Sequence, residues 1–152
     1  MNTYLEKKLF KKYPRLFQDK DLDMRKTCMC WGIECADGWY TLLDQLCHCI
    51  EEHFWNKENH KLWKDNKSSI DFDTFKQDLS KTEYARASQV KEKYGGLRFY
   101  MTEEDDYVGG LIRLAEGLSY YICEKCGNPG RPNRGGWVTT LCDKCKNEND
   151  GV

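Results

Sequence analysis

The sequence predicts an α+β fold in which a small antiparallel sheet or hairpin packs with two main helices, followed by a C-terminal cysteine-rich ribbon. Three observations carry this. Apolar residues alternate on either side of Gly95-Gly96, two segments carry apolar residues at helical spacing, and two Cys-x-x-Cys hooks stand fifteen residues apart near the C-terminus.

The first helix is expected over residues 3–13, with Tyr4, Leu5, Leu9 and Tyr13 near one face and Pro14 as its stop. Residues 27–33 read as a short buried strand or extended segment, followed by a turn through Cys35-Ala36-Asp37-Gly38. The strongest helical stripe comes next: Trp39, Leu42, Leu43, Leu46, Ile50 and Phe54, with Asp37 as its N-cap and an end near Trp55. Residues 56–83 are rich in Lys, Asn, Asp and Ser and read as a surface insertion of limited order.

Gln89 to Met101 reads as a hairpin turning on Gly95-Gly96. Leu97, Phe99 and Met101 alternate with Arg98 and Tyr100, so one face is expected in the core and the other presents Lys91, Lys93, Arg98 and Tyr100. A second helix is expected over about 106–121, with Val108, Leu111, Ile112, Ala115, Leu118 and Ile122 as its stripe and Leu114 beside it. The acidic run at 103–106 sits where a helix N-terminus favours negative charge. Residues 1–121 thus form a main domain and 122–147 a small module docked on it.

Cys123, Cys126, Cys142 and Cys145 have the spacing of a tetrahedral four-thiolate zinc site. With every ligand position filled by sulfur, no vacancy is left for an activated water, so the ion is expected to be one structural Zn²⁺. Gly127 suits the tight turn after the first hook, and Lys125, Lys144 and Lys146 are placed to offset the thiolate charge. Between the hooks, Arg131 and Arg134 precede Trp137. They could hold phosphates beside a stacked base, or be solvated while Trp137 plugs the small zinc core.

The other five cysteines are Cys28, Cys30, Cys35, Cys47 and Cys49. With His53 they could form a second metal site, although buried free thiols are the simpler reading. Glu34 and Asp37 lie between Trp31 and Trp39, where they could line a pocket for an enzyme; the simpler reading has Asp37 capping a helix and both indoles in the core. No nucleophile elbow, phosphate loop, dinucleotide fingerprint or His-Glu-x-x-His motif supports catalysis.

A net charge of −1 excludes global basicity, but residues 1–27 carry eight Lys/Arg against four Asp/Glu. The charged, amphipathic N-terminus lacks the apolar core of a signal peptide, and no stretch is apolar enough to span a membrane. A cytoplasmic protein with reduced thiols is expected.

Three segments together resemble a group of small bacteriophage and prophage proteins of no assigned activity. They are Cys30-Trp31-Gly32-Ile33-Glu34-Cys35-Ala36-Asp37-Gly38-Trp39, then Lys91 to Tyr100, then the paired hooks with Gly135-Gly136-Trp137. The resemblance implies a setting, the cytoplasm of an infected host, where such proteins bind and block a host factor or capture a nucleotide signal to counter host defence. The expectation is a non-enzymatic protein binding a nucleotide or nucleic acid through Lys91, Lys93, Arg98, Tyr100, Arg131, Arg134 and Trp137. The alternative is an inhibitor or adaptor of a host protein. An enzyme using Glu34 and Asp37 is the least favoured reading.

Overall fold

The computed structural model describes residues 1–133 and 136–149. Helix α1 spans Thr3–Lys12 and is capped by Asn2, whose side-chain oxygen accepts from the Leu5 N–H at 3.0 Å. Leu9, Tyr13, Leu16 and Phe17 are fully buried, while Tyr4 stands out in solvent. The expected stripe is thus narrower by one residue.

Residues 27–33 depart from the expected strand. Met29–Trp31 form a 3₁₀ turn, and only Ile33–Glu34 are extended, as strand β1. The Thr27 hydroxyl oxygen accepts from the Met29 N–H at 3.0 Å, a local bond that competes with sheet pairing.

Asp37 does not cap the next helix. Asp37–Trp39 form a 3₁₀ turn leading into α2, Tyr40–Lys64, and the Asp37 carboxylate accepts from the backbone and side-chain N–H groups of Asn2, both at 2.6 Å. Helix α2 runs nine residues beyond the expected end at Trp55. The added turns look polar, but their polar groups have partners inside the fold. Asn59 exchanges two hydrogen bonds with the backbone of Ile70, and Trp55 Nε1 donates to the same carbonyl at 2.8 Å. Buried Glu58 accepts from Lys81 at 2.6 Å and from the Tyr84 hydroxyl at 2.8 Å. Helix α3, Phe72–Gln77, is capped by Asp71 and buries Phe75 completely. Residues 56–83 therefore contribute to the core, contrary to the expected surface insertion.

Strand β2, Ala87–Lys93, pairs parallel with β1 and antiparallel with β3, Gly96–Met101, in the order β1-β2-β3. The α+β class holds, and the parallel edge makes the sheet mixed. The hairpin turns on Tyr94-Gly95, one residue earlier than expected, with φ of 53° and 76°. Both central positions of such a tight turn need positive φ. Gly96 is instead a strand residue pressed against Tyr120, whose ring lies 2.4 Å from where a β-carbon would be. Val90, Leu97 and Phe99 enter the core with Ile33, Leu9, Leu43 and Ile50.

Helix α4, Asp106–Ser119, lies along the free edge of β3. Ser119 Oγ accepts from the Leu97 N–H at 2.8 Å and Glu116 Oε1 from the Phe99 N–H at 3.1 Å, so side chains cover an edge that would otherwise invite another strand. The acidic run has its expected place: Asp105 caps α4 by accepting from the Val108 N–H at 3.0 Å. Its other oxygen meets His53 Nε2 at 2.8 Å and Lys57 Nζ at 2.9 Å, tying α4 to α2. Burial pushes the Asp105 carboxyl up, but the bonds from His53, the Val108 amide and Lys57 outweigh it and hold the group well below the ordinary carboxylate range.

Because the folded value is depressed, this contribution is present above the unfolded value of about 4 and is lost as pH falls through the folded one. Asp105→Ala is expected to cost about 1 kcal/mol at neutral pH, the usual worth of an N-cap. The variant should also lose less stability than wild type on acidification below about pH 4. Urea midpoints at neutral and acid pH check both.

Candidate metal centre

Each hook is shaped by its own backbone. After Cys123, the Gly127 N–H returns to the Cys123 carbonyl at 2.8 Å with φ of 79° at Gly127, and the Cys123 N–H reaches Asn128 at 2.7 Å. The second hook opens helix α5, Asp143–Asn149, where the Cys145 N–H points to Cys142 Sγ at 3.5 Å. Short strands β4 (Arg131–Pro132) and β5 (Thr140–Leu141) pair between the hooks, and the Glu124 N–H donates to Thr140 O at 2.9 Å.

The result brings the four sulfurs of Cys123, Cys126, Cys142 and Cys145 within 4.8 Å of one another. The Cys126 and Cys142 sulfurs are 3.6 Å apart, too far for a disulfide. A tetrahedral Zn²⁺ with Zn–S of about 2.3 Å would set that edge near 3.8 Å. The donor set and spacing therefore fit a structural zinc. Cys123 and Cys145 are buried, whereas Cys126 is exposed. Burial raises the Cys123 thiol, but N–H groups of Cys142, Cys126 and Lys125 turn toward its sulfur and bring it down to about 7. That favours the thiolate a metal needs. Of the lysines expected to offset the thiolate charge, Lys125 also pairs with Glu148 at 3.6 Å.

The ribbon is seated on the rest of the chain by hydrogen bonds, each with at least one backbone partner. The Gly38 N–H donates to Glu124 O at 2.7 Å, and the Ala36 N–H donates to the Glu124 carboxylate at 2.9 Å. Trp39 Nε1 donates to Ile122 O at 2.9 Å, and the Thr140 hydroxyl to Gly95 O at 2.5 Å. A β-carbon on Gly38 would lie 2.1 Å from the Cys123 carbonyl oxygen, so only glycine permits this approach. Burial raises the Glu124 carboxyl, although the Ala36 amide partly opposes this.

The expected ligand-binding residues fall into separate groups. Lys91, Lys93, Arg98 and Tyr100 share one face of the hairpin, with Lys91 opposite Arg98. Lys91 Nζ lies 5.7 Å from the centre of the Tyr100 ring, and both line a groove of about 530 Å³ with Arg25 and Lys26. Lys93 lies over Tyr94, and these two join Trp137 around a cleft of about 440 Å³ at the hairpin tip. Trp137 is 81% exposed, so it does not plug the zinc core. Arg98 is engaged within the fold, by the Leu97 carbonyl at 2.6 Å and the Tyr120 hydroxyl at 3.0 Å. Arg131 pairs with Asp143 at 2.8 Å on the open surface. Arg134, with Gly135, lies outside the described residues. Sequence reasoning missed Arg25, Lys26 and Tyr94, although the basic excess of residues 1–27 pointed toward the first two.

Glu34 is exposed on β1 beside Lys91, and Asp37 is held by Asn2; Trp39 is buried, whereas Trp31 is 58% exposed. Among the described residues, the four-cysteine cluster is the only group of three or more His, Cys, Asp or Glu side chains placed to hold a metal. The candidate second site is not assembled. Cys35 and Cys47 are buried, and burial lifts Cys35 to about 12 and Cys47 well above an ordinary thiol. Among the described residues no helix is long and apolar enough to cross a membrane.

Comparison with protein-family models, curated proteins and solved structures found no match to this chain.

Proposed function

We propose that the protein is a non-enzymatic binding protein for an anionic, base-bearing ligand, a nucleotide or a short single strand of nucleic acid. The supporting observation is the cleft where Lys93, Tyr94 and Trp137 meet. An indole four-fifths exposed on a ribbon seated against the hairpin is a ready stacking surface, and the adjacent lysine supplies the charge that a phosphate needs. Lys91 and Tyr100 continue the same face away from the tip, so cations and aromatics alternate over about 16 Å of strand. The structural zinc has no chemical part in this reading; it holds the loop that presents Trp137. In the phage setting that the sequence resemblance implies, the ligand is a host nucleotide signal or nucleic acid, captured to counter host defence.

Fluorescence anisotropy with a short labelled oligonucleotide and a labelled cyclic dinucleotide tests this. Trp137→Ala is expected to weaken binding by roughly tenfold, since one stacked base is worth about 1–3 kcal/mol. Lys93→Glu should weaken it further and flatten its salt dependence. Absence of binding to both probes at low salt would sink the proposal.

A second reading is an adaptor or inhibitor of a host protein, favoured by the exposure of Trp137 and Tyr94, residue types that anchor protein interfaces. It requires a nuclease-resistant complex whose affinity changes little with salt.

A further inference from the structure

Among the described residues, the cleft of about 440 Å³ at the hairpin tip is lined by one carboxylate, that of Glu92. In a site that binds an anion this charge needs a reason, because it repels the phosphate that Lys93 attracts. Glu92 lies opposite Leu97, on the face of the sheet that sends Val90, Leu97 and Phe99 into the core. It is half-buried, whereas Tyr94 is 71% and Trp137 81% exposed. The aromatic rings thus form the rim of the cleft, and the carboxylate stands deeper.

The turn fixes this carboxylate in place. Glu92 Oε1 accepts from the Gly95 N–H at 2.6 Å, and the Gly95 carbonyl accepts from the Thr140 hydroxyl at 2.5 Å. On the facing loop, Asn133 Oδ1 accepts from the Thr139 N–H and Asn133 Nδ2 donates to the Trp137 carbonyl, both at 2.9 Å. The carboxylate and the Trp137 backbone are therefore positioned before any ligand arrives. Glu92 Oε2 has no hydrogen-bond or ion-pair partner among the described residues, and Oε1 keeps a second lone pair.

We propose that Glu92 selects guanine, accepting from the ring N–H and the amino group of a base stacked on Trp137 while Lys93 meets the phosphate. This rests on the nucleotide reading above and narrows it to one base. An ionised carboxylate only accepts, so it recognises a base by donors that lie together on one edge. Guanine carries a ring N–H beside its amino group, a fork that meets both carboxylate oxygens as a guanidinium does. Adenine and cytosine offer an amino group beside a ring nitrogen whose lone pair faces the negative charge. Uracil and thymine offer a single N–H between two carbonyls. Each of these sets a lone pair against the carboxylate, and an unmatched polar contact in a partly dehydrated cleft costs binding. For guanine alone, paired charge-assisted bonds offset the repulsion between Glu92 and the phosphate.

Titration calorimetry of the metal-loaded full chain with guanosine, inosine, adenosine and cytidine diphosphates tests this at equal ligand charge. The wild type is expected to bind the guanosine form about tenfold or more tightly than the adenosine and cytidine forms. Inosine diphosphate, which lacks only the amino group, should fall between them. Glu92→Gln keeps an oxygen for the Gly95 N–H but turns an amide N–H₂ toward the donors of guanine. It should lose the preference for guanine while binding adenosine diphosphate within about twofold of wild type. Lys93→Glu should weaken all four ligands and keep their ranking. Equal affinity of the wild type for all four would overturn the selection and leave the nucleotide reading standing. Binding of none would remove that reading, and the selection with it. A Glu92→Gln chain that loses all four alike would make Glu92 a support of the turn and overturn its part in recognition.

Discussion

Cys123→Ser is expected to release the metal, unfold the ribbon and lower the melting temperature of the whole chain by roughly 10 °C or more. The ribbon has almost no core of its own: β4 and β5 are two residues each, and α5 is seven residues long. Its order therefore depends on coordination, and apparent zinc-binding free energies of about 10–16 kcal/mol in small zinc modules show the scale available. Only part of that reaches the main domain, through the bonds from Gly38, Ala36, Trp39 and Thr140. A strong chelator should reproduce the variant, and native mass spectrometry should count one ion per wild-type chain and none in the variant. Cys28→Ser is the control: that thiol is exposed and outside the cluster, so neither metal content nor melting temperature should change. Retention of the ion by Cys123→Ser would refute the four-thiolate site.

Glu51→Leu is expected to destabilise the fold by about 3–5 kcal/mol, while Arg15→Met combined with Glu51→Leu should restore most of the loss. Arg15 Nε and Glu51 Oε2 are 2.8 Å apart with both side chains fully buried, and the guanidinium lies between the rings of Phe54 and Phe75. The pair is incompletely satisfied, since Arg15 Nη2 and Glu51 Oε1 have no hydrogen-bond partner. Burial raises the Glu51 carboxyl, and Arg15 only partly draws it back. Removing one member leaves a charge stranded among aromatic rings; removing both replaces it with apolar volume in an apolar setting. Chemical denaturation of both single variants and the double gives the coupling. Additive losses in the double variant would show that the pair is itself stabilising.

Local rules made several parts of this molecule legible. The hooks could be read because each is shaped within four residues, and the place of the acidic run at the start of α4 because it precedes a clear apolar stripe. Strand alternation likewise placed the inward residues of the hairpin. The remainder depended on partners distant in the chain. Helix α2 was cut short because Glu58 and Asn59 look like surface residues until Lys81, Tyr84 and Ile70 are brought to them. The turn slipped by one residue because two adjacent glycines are equally free locally, and only the Tyr120 ring decides which one lies in the strand. The surroundings of the expected anion-binding residues were hidden for the same reason. Arg98 and Arg131 already have partners that their sequence neighbours do not announce.

The contact of Gly38 with the first hook also leads us to expect an order in the assembly of the chain. The hooks are fifteen residues apart, whereas Gly38 and Glu124 are separated by most of the protein. Closing a loop costs entropy that grows with the logarithm of its length, so the metal closes the shorter circuit at the lower cost. A coordinated first hook then presents the Glu124 carbonyl in a fixed direction. When residues 36–39 arrive, they meet a rigid template, and the longer closure orders one flexible partner where it would otherwise have to order two.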